Sequence, residues 1–158
     1  MGKRNSKLKV VEQVRAPAPP ATWEDRLVRI IETANHDVEY AKKVCDAFVE
    51  RFNTRPSDAL SWSSDTFKQA ARYDVAKTIL AWIEQAKEQG DEYCAGRSAK
   101  EVIMQVREIL HGEVMRAAKW PERSTSVPSN EISLCVMAQK AEWLERLDNV
   151  VERMKEAG

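Results

Sequence analysis

The residues of this sequence best suited to nucleophilic chemistry are two histidines and three cysteines, namely His36, His111, Cys45, Cys94 and Cys135. A cysteine nucleophile needs a base within hydrogen-bond reach, and none of these cysteines lies in a recognisable catalytic signature. The cysteines are isolated, with no Cys-x-x-Cys pair, which is typical of reduced thiols in the cytosol. Cys45 and Cys135 fall on apolar helix faces, so we interpret them as core residues rather than reactive groups.

A metal site is suggested at one position only, by Glu108 and His111. Their Glu-x-x-His spacing places two ligands on one face of a helix, as in di-iron helical bundles. Those sites need a second such motif and two further inward glutamates, and the sequence holds no second Glu-x-x-His. It also lacks the glycine motifs that bind phosphates, since its five glycines lie far apart. We therefore interpret His111 as a residue at the boundary of an apolar stripe, and we predict no metal, no cofactor and no enzymatic activity.

Basic residues concentrate at the N-terminus, although the formal net charge of the whole chain is zero. Residues 1–21 carry five basic side chains against one acidic side chain, which gives this tail a charge of +4 and the rest of the chain −4. Residues 119–126 add two cations, a tryptophan and several hydroxyls, a set that can hold phosphates and stack a base. A nucleic-acid-binding hypothesis assigns this role to Lys3, Arg4, Lys7, Lys9, Lys119 and Arg123. It is the less favoured hypothesis, because the remainder of the chain is acidic and no predicted helix has a basic face.

Five tryptophans in 158 residues favour protein binding as the function. Three of them fall on apolar helical stripes and are expected in the core: Trp23, Trp82 and Trp143. Trp62 and Trp120 fall in connections between helices, where we expect at least one exposed ring, although Trp62 is also placed to anchor its connection to the core. Aromatic side chains beside arginine are common anchors of protein interfaces. The predicted partner-binding residues are therefore Trp62, Trp120 and Arg123.

The function predicted from these features is a non-enzymatic helical interaction module that binds the surface of another protein. An adaptor, an assembly factor and an inhibitor all fit, and an origin in a virus or mobile element is compatible with a small helical protein. Two apolar stripes are wide enough to leave surface for a second copy, so a homodimer stays an open alternative. No apolar run reaches the roughly 20 residues of a membrane span, and no secretory signal is visible. We therefore expect no membrane partner and a cytoplasmic location.

Apolar residues at three- and four-residue spacing predict long helices over most of the chain. The pattern over residues 64–90 is apolar on more than one side, so we expect the other helices to pack on this one, with Ser64 as its N-cap. An earlier stripe runs from Trp23 to Phe52 after a capping box of Thr22 and Asp25. It is either one helix or two with a break at residues 35–37, and a single helical turn is expected at residues 58–60.

Two further helices follow the central one. Ser98 and Glu101 form a capping box for a helix that runs to about Lys119. Gly112 inside that helix predicts a close helix crossing or a local bend. The last helix is expected to be capped by Ser129 or Asn130 and to end near residue 156.

The predicted architecture is an all-α bundle of four to five helices with a flexible basic N-terminal tail. Three prolines near the end of residues 1–21 disfavour a helix there, so we expect this tail to be largely disordered. Residues 22–158 are predicted to form a single helical domain.

Overall fold

The computed structural model describes residues 18–89, 97–119 and 127–157, and all regular structure in these ranges is helical. The elements are α1 (Trp23–Thr54), α2 (Pro56–Leu60), α3 (Ser63–Glu88), α4 (Ala99–Lys119) and α5 (Val127–Ala157). This confirms the prediction of an all-α bundle with four to five helices. The proposed disorder of residues 1–17 lies outside the described residues. None of the described helices is long and apolar enough to cross a membrane.

Helix α1 begins at the predicted capping box and continues without a break. The backbone N–H of Asp25 donates to Thr22 Oγ1 at 3.2 Å, and the Thr22 N–H donates to Asp25 Oδ2 at 3.0 Å. These two bonds satisfy backbone donors that a helix start otherwise leaves unpaired. Since the helix passes through residues 35–37, the stripe forms one helix of 32 residues, about 48 Å long.

The start of α3 differs from the prediction by two residues. Helix α2 forms at the expected helical turn and begins with Pro56, which suits the first position of a helix. Helix α3 then begins at Ser63, and the carbonyl of Trp62 accepts from the Thr66 N–H at 3.0 Å. Ser64 therefore lies inside the first turn, and the prediction that it is the N-cap is wrong.

Helix α4 begins as predicted, whereas the close helix crossing considered for Gly112 and the caps predicted for the last helix are not observed. Ser98 and Glu101 form the reciprocal capping box, with distances of 2.9 and 3.3 Å. A Cβ atom at Gly112 would meet nothing within 4 Å, so no close helix crossing explains this glycine. Helix α5 begins at Val127, before the predicted caps at Ser129 and Asn130.

Consecutive long helices run antiparallel, which gives the bundle two distinct ends. At the proximal end, Lys100 near the start of α4 lies 5.8 Å from the ring of Trp23 at the start of α1. The Gln105 side chain of α4 donates to Gln89 after the end of α3 at 3.2 Å. At the distal end, α1 ends, α3 begins, α4 ends and α5 begins.

The hydrophobic core occupies the proximal half of the bundle. Helix α3 contacts α1, α4 and α5, which confirms that it packs on more than one side. The largest fully buried side chains are Trp143, Ile79, Ile83, Ile103, Leu110, Leu147, Val102, Val106, Val151 and Asp37. Among the described side chains, residues 42–54, 63–70, 111–117 and 132–142 include none that is buried. The helices therefore extend well past the core at the distal end.

Among the described residues, one charged side chain is buried in the bundle, that of Asp37, with an exposure of 2%. Its carboxylate accepts from Arg72 of α3 at 2.6 Å and from Arg146 of α5 at 3.3 Å. A buried carboxylate needs such partners because desolvation strongly disfavours an isolated charge. Arg146 also donates to Glu142 at 2.8 Å. These contacts fix the relative positions of α1, α3 and α5.

Candidate protein-interaction surface

Large hydrophobic side chains are exposed mainly at the distal end. Of the nine such side chains among the described residues, seven lie in the distal parts of their helices or in the α1–α3 connection. They are Val49, Phe52, Leu60, Trp62, Met115, Ile132 and Leu134. Exposed apolar surface that is concentrated in one region marks interaction sites more often than single scattered residues do. Phe52, the last residue of the predicted apolar stripe of α1, is 46% exposed.

Trp62 lies in the connection between α2 and α3 and points its ring to solvent. Its side chain is 47% exposed, so the expectation that it anchors the connection to the core is wrong. Instead, the guanidinium carbon of Arg51 lies 3.9 Å from the centre of the indole ring. This distance is well inside the range of a cation–π interaction, which holds the ring in place without burying it.

The backbone around Trp62 is held by local hydrogen bonds. The Trp62 N–H donates to the carbonyl of Ala59 at 3.0 Å, and the Arg55 N–H donates to the carbonyl of Arg51 at 2.7 Å. The Ser61 hydroxyl donates to the carbonyl of Asp58 at 2.7 Å. Ala59 is fully buried and anchors α2 on the bundle. The exposed indole is therefore mounted on an ordered turn, which lowers the entropy cost of binding through it.

The turn and the end of α1 enclose an open cleft of about 440 Å³, which we call the Trp62 cleft. It is lined by Arg51, Thr54, Arg55, Asp58, Ser61 and Trp62. Arg55 Nη1 lies 4.0 Å from Asp58 Oδ2 and both side chains are well exposed, so this pair contributes little. Arg51 has no carboxylate partner among the described residues. The cleft thus offers an aromatic face and two guanidinium groups, which suit a side chain with apolar and acidic parts.

No protein-family model, curated protein or solved structure matches this chain.

Several predicted binding residues lie outside the described part of the chain. Trp120 and Arg123 belong to residues 120–126, and the basic side chains Lys3, Arg4, Lys7 and Lys9 belong to residues 1–17. The backbone of Lys119 ends α4, while its side chain is outside the described set. Their assignment to protein or nucleic acid stays a prediction, and of the three predicted partner-binding residues the structure describes Trp62.

The described side chains that the sequence suggests for catalysis or metal binding are exposed or half-buried. His36 is exposed and stacks on Tyr40 with 6.4 Å between ring centres, and both His111 and Glu108 are exposed. Among the described residues, no group of three or more His, Cys, Asp or Glu side chains is placed to hold a metal ion. A catalytic role for these residues would therefore have to rest on the chemistry of single side chains.

The cysteines that the structure describes are less buried than predicted. Cys45 and Cys135 are both half-buried rather than part of the core, and Cys94 lies outside the described residues. Burial raises the pKa of the Cys45 thiol, and the nearby carboxylates of Asp46 and Asp74 raise it further. A raised pKa lowers the thiolate fraction at neutral pH and therefore the reactivity of this side chain.

The arginines of the Trp62 cleft were not predicted from sequence. Arg51 and Arg55 are spaced one helical turn apart, four residues, and this spacing just before a tryptophan in a connection was the available signal. It was too general to single out, because 32% of the residues are charged and such pairs recur on solvated helix faces. The three-dimensional turn, which brings Trp62 back over Arg51, is what distinguishes this pair.

Proposed function

We propose that this chain is a non-enzymatic helical interaction module that binds the surface of another protein through the Trp62 cleft. The observation that carries the proposal is the half-exposed indole of Trp62, held by Arg51 on an ordered turn. Tryptophan and arginine are the residues most enriched among those that dominate binding energy at protein interfaces. A role as adaptor, assembly factor or inhibitor fits such a site equally.

The surroundings of the cleft supply the rest of an interface. Val49, Phe52 and Leu60 are exposed by 56%, 46% and 63%, and they belong to the same α1–α3 connection and helix end. Residues 42–54 of α1 contribute nothing to the buried core, so their apolar side chains are available to a partner. Stable interfaces combine a few large anchors with a surrounding ring of weaker contacts that excludes water.

Electrostatics of the cleft favour an acidic surface on the partner. Two guanidinium groups face one carboxylate there, which leaves an excess positive charge. The partner side chain expected over Trp62 is aromatic or aliphatic, with an aspartate or glutamate that reaches Arg51 or Arg55. Bidentate pairing of arginine with carboxylate would add geometric specificity to the apolar contact.

The proposal is tested by site-specific photocrosslinking in the native host. The photoreactive residue p-benzoylphenylalanine replaces Leu60 in one version of the protein and the exposed Ala81 of α3 in the control version. We expect one protein to be crosslinked from position 60 and not from position 81, and to be lost when Trp62→Ala is added. Equal crosslinking from both positions would contradict the proposal, and crosslinking of nucleic acid from position 60 would replace it with the nucleic-acid-binding hypothesis.

A further inference from the structure

A second open cleft lies at the proximal end, opposite the Trp62 cleft. It has a volume of about 450 Å³ and lies between the start of α1, the start of α4 and the end of α5. Its lining consists of Trp23, Lys100, Met104, Val151, Met154 and Lys155, and we call it the proximal cleft.

The floor of the proximal cleft is apolar and continuous with the core. Val151 is 2% exposed, and Trp23 and Met104 pack against the core while still lining the cleft. Met104 and Met154 have flexible, polarizable side chains that adapt to differently shaped apolar groups. The floor is therefore suited to an apolar side chain that enters from outside.

The rim of the proximal cleft carries two ammonium groups, one on each wall. Lys100 of α4 lies 5.8 Å from the centre of the Trp23 ring and has no carboxylate partner among the described residues. Lys155 of α5 lies 3.1 Å from Glu152, but both side chains are more than 60% exposed, so this pair is weak. The carboxylate of Glu101, next to Lys100, is engaged by the backbone of Ser98 in the capping box. Both ammonium groups can therefore pair with carboxylates brought by a ligand.

We propose that the proximal cleft is a second docking site, which takes a peptide segment of another protein with an apolar side chain flanked by aspartate or glutamate. The apolar side chain fills the floor, and the flanking carboxylates pair with Lys100 and Lys155. This site lies at the other end of the bundle from the Trp62 cleft and does not depend on the function proposed for that cleft.

The positive charge of the rim disfavours a segment of the same chain as the occupant. The N-terminal residues 1–21 carry a charge of +4 and would be repelled by the two lysines of the rim. A second copy of the chain that docked cleft to cleft would bring four lysines together, which is equally unfavourable. The chemistry of the rim therefore selects an acidic segment from a different protein.

The floor decides against nucleic acid as the occupant. A phosphate backbone would pair with Lys100 and Lys155, and Trp23 offers one ring on which a base could stack, but Met104, Val151 and Met154 make the rest of the floor aliphatic, which suits an apolar side chain better.

The test begins with a library of random 12-residue peptides displayed on phage, selected on the full-length protein. We expect the selected peptides to share an apolar residue flanked by aspartate or glutamate. A fluorescein-labelled peptide of that consensus is then titrated with the wild type, with Lys100→Glu/Lys155→Glu and with the matched control Lys42→Glu/Lys43→Glu. The control lysines are exposed on α1 and carry the same charge change away from the cleft.

The charge reversal at the rim is expected to raise the Kd by about 10-fold or more, because two attractions become repulsions. The control is expected to stay within about 2-fold of the wild type, and so is Trp62→Ala. Met154→Ala removes apolar side-chain atoms from the floor of the cleft and leaves its charge unchanged. This variant is expected to weaken binding about 3-fold. Thermal unfolding followed by circular dichroism verifies that each variant is folded.

Four results would overturn the proposal. The first is a selection that yields no acid-flanked apolar motif, and the second is consensus-peptide binding that the rim reversal leaves unchanged. The third is tighter binding of a 20-nucleotide single-stranded DNA than of the peptide, if the rim reversal also abolishes that DNA binding. Such a result would assign the surface to nucleic acid. Loss of peptide binding in Trp62→Ala alone would place the peptide in the Trp62 cleft and thus overturn the second site without touching the first.

Discussion

Arg72 Nη2 lies 2.6 Å from Oδ1 of Asp37, which joins α3 to α1 through a carboxylate buried in the bundle. The other oxygen of Asp37 lies 3.3 Å from Arg146 of α5. The exposures of the two arginine side chains are 26% and 37%, so only the carboxylate is fully desolvated. Removing this carboxylate leaves two guanidinium groups facing each other, whereas removing one arginine leaves a partner in place.

We predict that Asp37→Ala lowers the free energy of unfolding by about 2–4 kcal/mol, because it removes the desolvated carboxylate to which both arginines bind. Arg146→Met is expected to cost less, because solvent screens the exposed part of that pair. Urea unfolding followed by circular dichroism measures both, and Asp46→Ala, on the exposed side of the same helix, is the control. Equal losses for Asp37→Ala and the control would mean that the network contributes nothing.

The distal halves of the helices are expected to be the least stable part of the bundle. Residues 42–54 of α1 include no buried side chain, whereas residues 27–41 include Leu27, Ile30, Ala34, Asp37 and Ala41. Local opening is easier where few apolar contacts oppose it. In native-state hydrogen exchange, amide protons of residues 42–54 should exchange roughly 10-fold or more faster than those of residues 27–41. Uniform protection along α1 would contradict a core confined to the proximal half.

Cys45 is expected to be a slow nucleophile at neutral pH. Its pKa is raised by burial and by the carboxylates of Asp46 and Asp74, so a smaller fraction is thiolate than in an exposed cysteine. We predict slower alkylation by iodoacetamide in the folded protein than in urea, measured on the variant Cys94→Ser/Cys135→Ser. Asp74→Asn should speed the reaction, because one repulsive charge is removed. Faster alkylation of the folded protein would reverse this interpretation and reopen a catalytic role for the thiol.

The two capping boxes give the stability of the bundle a defined acid dependence. Hydrogen bonds from Thr22 and Ser98 lower the pKa values of Asp25 and Glu101 in the folded state. A carboxylate with a lowered folded-state pKa stabilises fully above its unfolded pKa, and this contribution is lost as the pH falls through the folded value. The loss is therefore expected as the pH falls from about 5 to about 3.

Asp25→Asn/Glu101→Gln should show a shallower fall in melting temperature over this pH range than the wild type. The control Glu32→Gln/Glu39→Gln changes two exposed carboxylates of α1 and should keep the wild-type slope. Differential scanning calorimetry from pH 3 to pH 6 measures the slopes. A wild-type slope in the capping-box variant would show that these carboxylates do not act through the caps.

The sequence predicts the helices well because their signals are local. The capping boxes at Thr22 and Ser98 and the apolar spacing of α3 depend on neighbours within one or two turns, and the structure confirms them. The burial of Asp37 could have been predicted in the same way, because Asp37 follows Ala34 by three residues and precedes Ala41 by four on the buried face. A charge at such a position requires partners, but local spacing could not identify Arg72 and Arg146.

The candidate site is harder to predict because it depends on where the core ends. The apolar stripe of α1 continues to Phe52, yet the described side chains of α3, α4 and α5 include no buried residue at that level. The exposure of Trp62 likewise follows from the direction of one turn, set by α2 and the contact with Arg51. Periodicity reports which residues share a face, but it does not report whether another helix covers that face.

The most direct test of the proposed interaction module is the affinity of the crosslinked partner for the variant Trp62→Ala. The affinities for the wild type and for Tyr40→Ala are measured for comparison. Tyr40 is a matched control, since it is 46% exposed and Arg72 lies 5.1 Å from its ring, but it is outside the Trp62 cleft. Isothermal titration calorimetry should show the Kd raised about 30-fold or more by Trp62→Ala, the effect of losing a dominant interface residue, and changed less than about 2-fold by Tyr40→Ala. A Kd that Trp62→Ala leaves within about 2-fold of the wild type would contradict the proposal that this indole binds the partner.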